Sequence, residues 1–138
     1  MSYLLDTNAA IALLTGKPLA VRDRYREVES AGAYLAVSSV VLFELWYGAA
    51  KRARPRENAE RLRVFLSGRL DVLPFDDEDA VTSGKVRAAL ETAGTPIGAY
   101  DLLIAGQALR HRLTLVTANT SEFGRVPGLR LEDWTRGA

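Results

Sequence analysis

Short apolar runs of strand length alternate with helix-length segments along this chain, and no connection between them carries a β-hairpin signal. Strands that are each followed by a helix return to the same end of a sheet before the next strand begins. The pattern therefore calls for an α/β fold with a mostly parallel sheet. Tyr3–Asp6 reads as the first strand, and Asn8–Leu14 as a short helix closed by Gly16. Pro18 opens a second helix that ends at Gly32, and AYLAVSS is the second strand. Ser38 or Ser39 can cap the helix VVLFELWYGAAKRA, and Pro55 stops it and starts another that reaches about Gly68. DVLPFD reads as a third strand, followed by a helix that begins at the acids 76–79 and runs to Gly94. AYDLLIAGQALRHR is an apolar-faced helix, TLVTAN a fourth strand and LRLED a fifth. No repeat, low-complexity segment or internal linker divides the 138 residues, which suits one domain with one sizeable core.

The residue inventory narrows the chemistry. With no cysteine, there is no disulfide framework, thiol nucleophile or thiolate metal site. A single histidine, His111, removes paired-histidine catalysis and multi-histidine zinc sites, and in the sequence RHR it reads as a surface residue. Any metal here has to be held by oxygen, which favours Mg²⁺ or Mn²⁺. No basic leader precedes the first apolar residues and no apolar run approaches membrane-spanning length, so a cytoplasmic protein without a membrane anchor is expected. Net charge is only +1, yet segment 51–69, KRARPRENAERLRVFLSGR, holds seven Lys or Arg against two Glu. Such a stripe serves either as a footprint for a polyanion or as a solvated helix face.

Four carboxylates stand in unusual places. Asp6 ends the first strand, at the end of a parallel sheet where ligands bind. Glu44 is the only charge in VVLFELWYGAA, at the edge of a helical face formed by Leu42, Leu45, Trp46 and Ala49. Asp101 repeats the pattern in AYDLLIAGQAL, and Glu122 follows the strand TLVTAN. Each also has an ordinary structural role open to it. Asp6 or Thr7 can cap a helix for about 1 kcal/mol, Glu44 can face solvent, Asp101 can favour a helix dipole, and Asn119 to Glu122 has capping-box spacing. Taken together, carboxylates gathered without a cation repel one another, and a divalent metal reverses that penalty. Mg²⁺ sites commonly complete their shell with water and substrate phosphate oxygens, so the cluster points to a phosphoester substrate.

Four segments carry a family resemblance in order over nearly the whole chain: YLLDTN, SSVVLFELWYGA, YDLLIAGQAL and LVTANTSEFGRVPGLRLEDW. On them the sequence resembles PIN-domain ribonucleases, specifically VapC-type toxins of bacterial toxin–antitoxin pairs. DTN alone is common, but DTN followed by an ELxxG helix, the Asp101 helix and a TxNxxEF segment is specific. The resemblance implies a PIN-like three-layer α/β/α sandwich, with residues 1–138 forming a single PIN domain. It implies that Asp6, Glu44 and Asp101 form the acidic triad that holds Mg²⁺, with Mn²⁺ as a possible substitute. Many members have Asp where this chain has Asn119, and Glu122 supplies the nearby acid, reaching metal directly or through water. Thr7, Asn8, Ser38 and Thr117 match polar positions that orient acids or waters.

The activity so implied is metal-assisted hydrolysis of RNA, such as tRNA or another structured RNA, leaving a 5′-phosphate and a 3′-hydroxyl. Translation would stop until an antitoxin neutralised the enzyme. Arg52, Arg54 and Arg56 of the basic stripe become candidates for RNA phosphate contacts. Trp46 and Tyr47 are read as core or partner-contact residues rather than base-stacking platforms. The family also implies a homodimer and a VapB-type antitoxin that wraps a hydrophobic groove and blocks the acidic pocket. Their larger assembly would bind operator DNA through the antitoxin. Three other readings compete. A haloacid-dehalogenase-type phosphatase needs a second Asp where Asn8 stands, a non-catalytic PIN-like RNA- or protein-binding module would lack acids that this chain keeps, and a DNA-directed nuclease would use the same acids.

Overall fold

Leu4, Leu5, Ala36, Val37 and Leu115 have no exposed surface, because they lie on three adjacent strands at the centre of a sheet covered on both faces. The computed structural model describes residues 1–136. The strands are β1 (Ser2–Leu5), β2 (Tyr34–Ser38), β3 (Asp71–Leu73), β4 (Thr114–Val116) and β5 (Leu131–Glu132). The helices are α1 (Thr7–Thr15), α2 (Leu19–Ser30), α3 (Ser39–Lys51), α4 (Pro55–Leu66), α5 (Asp77–Thr92), α6 (Ala99–His111) and the single turn α7 (Thr120–Phe123). The sheet order is β3-β2-β1-β4-β5 and every pairing is parallel, with Leu5 opposite both Val37 and Val116. The expected "mostly parallel" sheet is thus parallel throughout.

The chain runs outward from β1 to β3 in one direction, then returns to the other side of β1 for β4 and β5. Right-handed crossovers therefore place α1–α4 on one face and α5–α7 on the other, which makes the three layers. The strand order reverses at β1, and its carboxyl end is the switch point where such sheets form a crevice.

Local chemistry sets the boundaries. Gly16 closes α1 in the left-handed region, φ 75°, and its N–H donates to the Ala12 carbonyl. Arg22 donates to the carbonyls of Leu13 and Leu14, tying that helix end to α2. Of the two candidate caps for α3, Ser38 is the one used: its hydroxyl accepts from Val40 N at 3.0 Å. Ser39 instead accepts from Phe75 N, beyond β3. Strand β3 is shorter than DVLPFD because Pro74 has no N–H to give to a ladder. Asp76 and Asp79 form a reciprocal capping box at the start of α5. Among the described residues, no helix is long and apolar enough to cross a membrane.

Candidate active site

The switch point carries Asp6. Its N–H donates to Val116 O at 3.0 Å, which ties the end of β1 to β4, and its carboxylate caps α1 by accepting from Ala9 N at 2.8 Å. The capping role open to it is therefore real, but it occupies only one oxygen. Asp6 is 6% exposed. Burial pushes its carboxyl upward, against hydrogen bonds from Thr117 and Ala9 that pull it down, while the charges of Glu44 and Asp133 push further up.

Glu44 reaches the same place from α3. Val41 and Leu45 are its buried neighbours on the helix, whereas Leu42, Trp46 and Ala49 are only half-buried. That leaves Glu44 half-buried at the edge of the core, where Thr7 Oγ1 donates to its Oε1 at 2.7 Å. Asp101 sits in the first turn of α6, whose N-cap is Gly98 with no side chain to offer. Its carboxyl is pushed up to about 6, first by burial and then by the charges of Glu122, Asp6 and Glu44. The charges of Glu122 on α7, Asp6 at the start of α1 and Glu44 on α3 thus all act on Asp101.

Glu122 behaves differently. The capping box expected from Asn119 to Glu122 does not form, and no side chain caps α7. Instead Asn119 Nδ2 donates to Glu122 Oε2 at 2.8 Å, and Gly98 N donates to Glu122 Oε1 at 2.8 Å. These bonds hold Glu122 below the usual carboxylate range. A Cβ at Gly98 would make ordinary contact with Asp101 Oδ2 at 3.5 Å and Glu122 Oε1 at 3.6 Å, which places both acids at the start of α6. Thr117 is buried and accepts from Asn119 N at 3.0 Å, and Ser38 is buried at the start of α3. Asn8 is exposed.

Asp133 was not among the sequence candidates. It follows β5, the last strand to end at this crevice, and its charge acts on Asp6. Its position after a strand end was the available signal. His111 lies about ten residues along α6 from Asp101, or ~15 Å. It stays partly exposed at the surface, its Nε2 3.2 Å from the buried Asp79. Tyr47 is exposed, not core, and Trp46 is half-buried beneath the Arg63 guanidinium. The basic stripe divides. Arg52 lines a groove with Ile11, Leu14, Gly48, Leu62 and Glu44, Arg54 faces Glu57 at 3.7 Å, and Arg56 is exposed.

The family model for the PIN domain matches residues 3–129. The chain belongs to the PIN-domain family. Among its PIN-domain relatives is the tRNA(fMet)-specific endonuclease VapC of Salmonella typhimurium, 42% identical over 97% of this chain and 98% of that protein. Ribonuclease VapC2 of Rickettsia felis is 38% identical over 99% of this chain and all of its own. The structure of VapBC2 from Rickettsia felis bound to a promoter DNA fragment superposes with a TM-score of 0.89, covering 97% of this chain and 99% of that one. DNA-bound VapBC from Salmonella typhimurium superposes with a TM-score of 0.88 over 97% and 98%. This PIN domain is thus of the VapC ribonuclease kind, a hydrolase fold carrying a nuclease site.

PIN-domain ribonucleases are generally metal-dependent. None of the ion pairs among the described residues engages Asp6, Glu44, Asp101 or Glu122. Nor is any group of three or more His, Cys, Asp or Glu among them arranged to enclose an ion by itself.

Proposed function

We propose that the chain is a Mg²⁺-dependent endoribonuclease toxin, a single PIN domain that cuts structured RNA and is restrained by a VapB-type antitoxin. The observation that supports this reading best is the gathering of Asp6, Glu44, Asp101 and Glu122, none of them in an ion pair among the described residues, at the switch point of a fold matched over nearly its whole length by VapC ribonucleases.

Asp6 and Asp101 hold the ion, each presenting an oxygen that no protein cation neutralises. When bound, Mg²⁺ supplies Lewis acidity, polarising the scissile phosphate and making adjacent water more acidic; Mn²⁺ can substitute. Glu44, held by Thr7, accepts the proton of the attacking water, and Asp101 is the second candidate for that transfer. The water oxygen bonds to phosphorus as the P–O3′ bond breaks, the leaving 3′-oxygen takes a proton from solvent water, and the products carry a 5′-phosphate and a 3′-hydroxyl. Glu122 and Asn119 fix the start of α6 and thereby Asp101. Thr117 and Ser38 orient the strand ends, and Asn8 faces the solvent side of the crevice, where water and RNA enter. Arg52, Arg54 and Arg56 bind phosphates along the RNA.

The antitoxin seats a segment in the groove between α1, α3 and α4 that runs to Glu44. The relatives' structures are VapBC complexes, two of them on DNA, so a homodimeric toxin in a larger operator-binding assembly is the corresponding arrangement here. Such a protein works in the cytoplasm. Incubating the purified chain with total RNA, tRNA and single-stranded DNA in Mg²⁺, then mapping 5′ ends, tests the reading. The tRNA(fMet) cut by the Salmonella relative is the first substrate to try. Discrete cuts in RNA support the proposal, and cuts confined to DNA, or none, contradict it.

A further inference from the structure

An acidic crevice repels a polyanion, so a strand that crosses it needs cations where it enters and where it leaves. A metal offsets the repulsion at the scissile phosphate, and the neighbouring phosphates need charges of their own. Arg52 supplies one from the α1–α4 side, in the groove it shares with Glu44. On the α5–α7 side the cation is Arg125, exposed just past α7. Its Nη1 donates to the Pro96 carbonyl at 2.8 Å, and its backbone N–H donates to Glu122 O at 3.1 Å. Pro96 lies two residues before Gly98, a reach of at most ~7 Å along the backbone. Gly98 in turn donates to Glu122 Oε1 and sits beside Asp101 Oδ2. Glu122, held low first by its bonds from Gly98 and Asn119, also feels the Arg125 charge. The Pro96 bond takes one of the five guanidinium N–H donors. Among the described residues Arg125 joins no ion pair, so a neutral carbonyl holds it and its charge is not cancelled.

We propose that Arg125 binds the RNA phosphate next to the scissile one, on the α7 side of the crevice, through its guanidinium fork. This rests on the nuclease reading and deepens it by adding a subsite outside the basic stripe. The planar fork matches two phosphate oxygens at once, and charge-assisted bonds of this kind are about twice as strong as neutral ones. The Pro96 carbonyl fixes the side chain beforehand, so less rotamer freedom is lost when RNA arrives. The strand then runs from Arg52 across the carboxylates to Arg125. The alternative is a strap, in which the same bond ties α7 to the loop before α6 and touches no RNA. A strap needs a single donor, whereas a guanidinium on the surface brings a fork. The homodimer contact has a surface of its own in the exposed rings of α3 and α6, where Phe43 and Tyr100 lie with centroids 5.9 Å apart, and Arg125 belongs to neither helix.

The test uses the full chain and a fluorescent oligoribonucleotide of about ten nucleotides spanning a cut site mapped with the wild-type protein, bound in EDTA so that it stays intact. The phosphates flanking the cut are replaced one at a time by an uncharged methylphosphonate on a 2′-O-methyl nucleotide. Each is compared with the same nucleotide carrying an ordinary phosphate. Wild type should lose roughly 10-fold or more in affinity at one flanking phosphate. Arg125→Gln should bind more weakly by a similar factor, lose nothing further at that phosphate, and show a salt slope shallower by about 0.7. That non-additivity separates a phosphate contact from a structural effect. Arg125→Lys keeps the charge and loses the fork, so it should keep the wild-type slope and bind with intermediate affinity. If circular dichroism shows Arg125→Gln unfolded, Arg125→Lys is scanned instead, and its loss at that phosphate should be smaller than that of wild type. Equal losses in wild type and variant at every phosphate would make Arg125 a strap. That result, undiminished affinity of the variants, or a change in oligomeric state by light scattering would overturn the subsite while leaving the nuclease reading intact. Absence of any cut site in the wild type would overturn the reading and the subsite together.

Discussion

Glu122 spends both carboxylate oxygens on the protein, one on Gly98 N and one on Asn119 Nδ2. It therefore acts on Asp101 by fixing the start of α6. Glu122→Gln must turn an amide N–H₂ toward one of those donors, breaking one bond. Activity should fall about 10- to 100-fold, as for groups that orient metal ligands, while the thermal midpoint changes little because the bonds of Glu122 itself are solvent-exposed. Parallel rate and melting measurements check this, and an unchanged rate would show that Glu122 positions nothing. Asp101 gives a pH prediction. Its carboxyl sits at about 6 against an ordinary 3.8, so the folded chain binds that proton more tightly than the unfolded chain. This contribution to stability is complete below the unfolded value and is lost as pH rises through the folded one. Asp6 shifts in the same direction. In EDTA, stability attributable to these groups should therefore decline between about pH 4 and pH 6.5, and Asp101→Asn should flatten the decline. Mg²⁺ should stabilise the protein more at the upper end of that range, where it no longer competes with the proton. Thermal melts with and without Mg²⁺ decide it.

At the scale of elements, α5 and α6 pack with almost no space between Ser83 and Gly106. A Cβ at Gly106 would meet Ser83 Oγ and lie 2.8 Å from Ser83 Cα, a backbone atom that cannot swing away. Gly106→Ala should cost about 1–3 kcal/mol, read as a lower urea midpoint. A midpoint equal to wild type would mean that the helices can separate freely. The basic segment from the end of α3 into α4 supplies another expectation. Neutralising Arg52, Arg54 and Arg56 together should weaken RNA binding and flatten its salt dependence without moving the cut site, because phosphate contacts release counterions and read no sequence. Equal salt slopes would remove these arginines from the RNA path. The ends of elements were less legible than the elements themselves. TLVTAN supplied only three strand residues, because β4 pairs through Val116 and the chain then turns for Glu122. The spacing from Asn119 to Glu122 suggested a local capping box, but the donor that matters, Gly98 N, comes from a distant part of the chain.

Over the whole molecule, the alternation of apolar runs and helices was enough to read a parallel α/β sheet, since buried strands with covered faces are apolar along their length. Asp6, Glu44 and Asp101 were legible because a lone charge stands out in an apolar segment. Asp133 was not, because it follows a two-residue strand among other charges and only the sheet order places it at the crevice. The pairing of Phe43 with Tyr100 was equally hidden, since it exists only where α3 meets α6. The fold thus converts scattered single acids into one electrostatic unit at the switch point, and that unit is the account's central claim. Cleavage of tRNA by wild type and by Asp101→Asn, each in Mg²⁺ and in excess EDTA, with circular dichroism confirming the fold, tests it most directly. The account predicts cutting only by wild type in Mg²⁺, with a rate at least about 100-fold lower for Asp101→Asn. Undiminished cutting in EDTA, or by a folded Asp101→Asn, would contradict it.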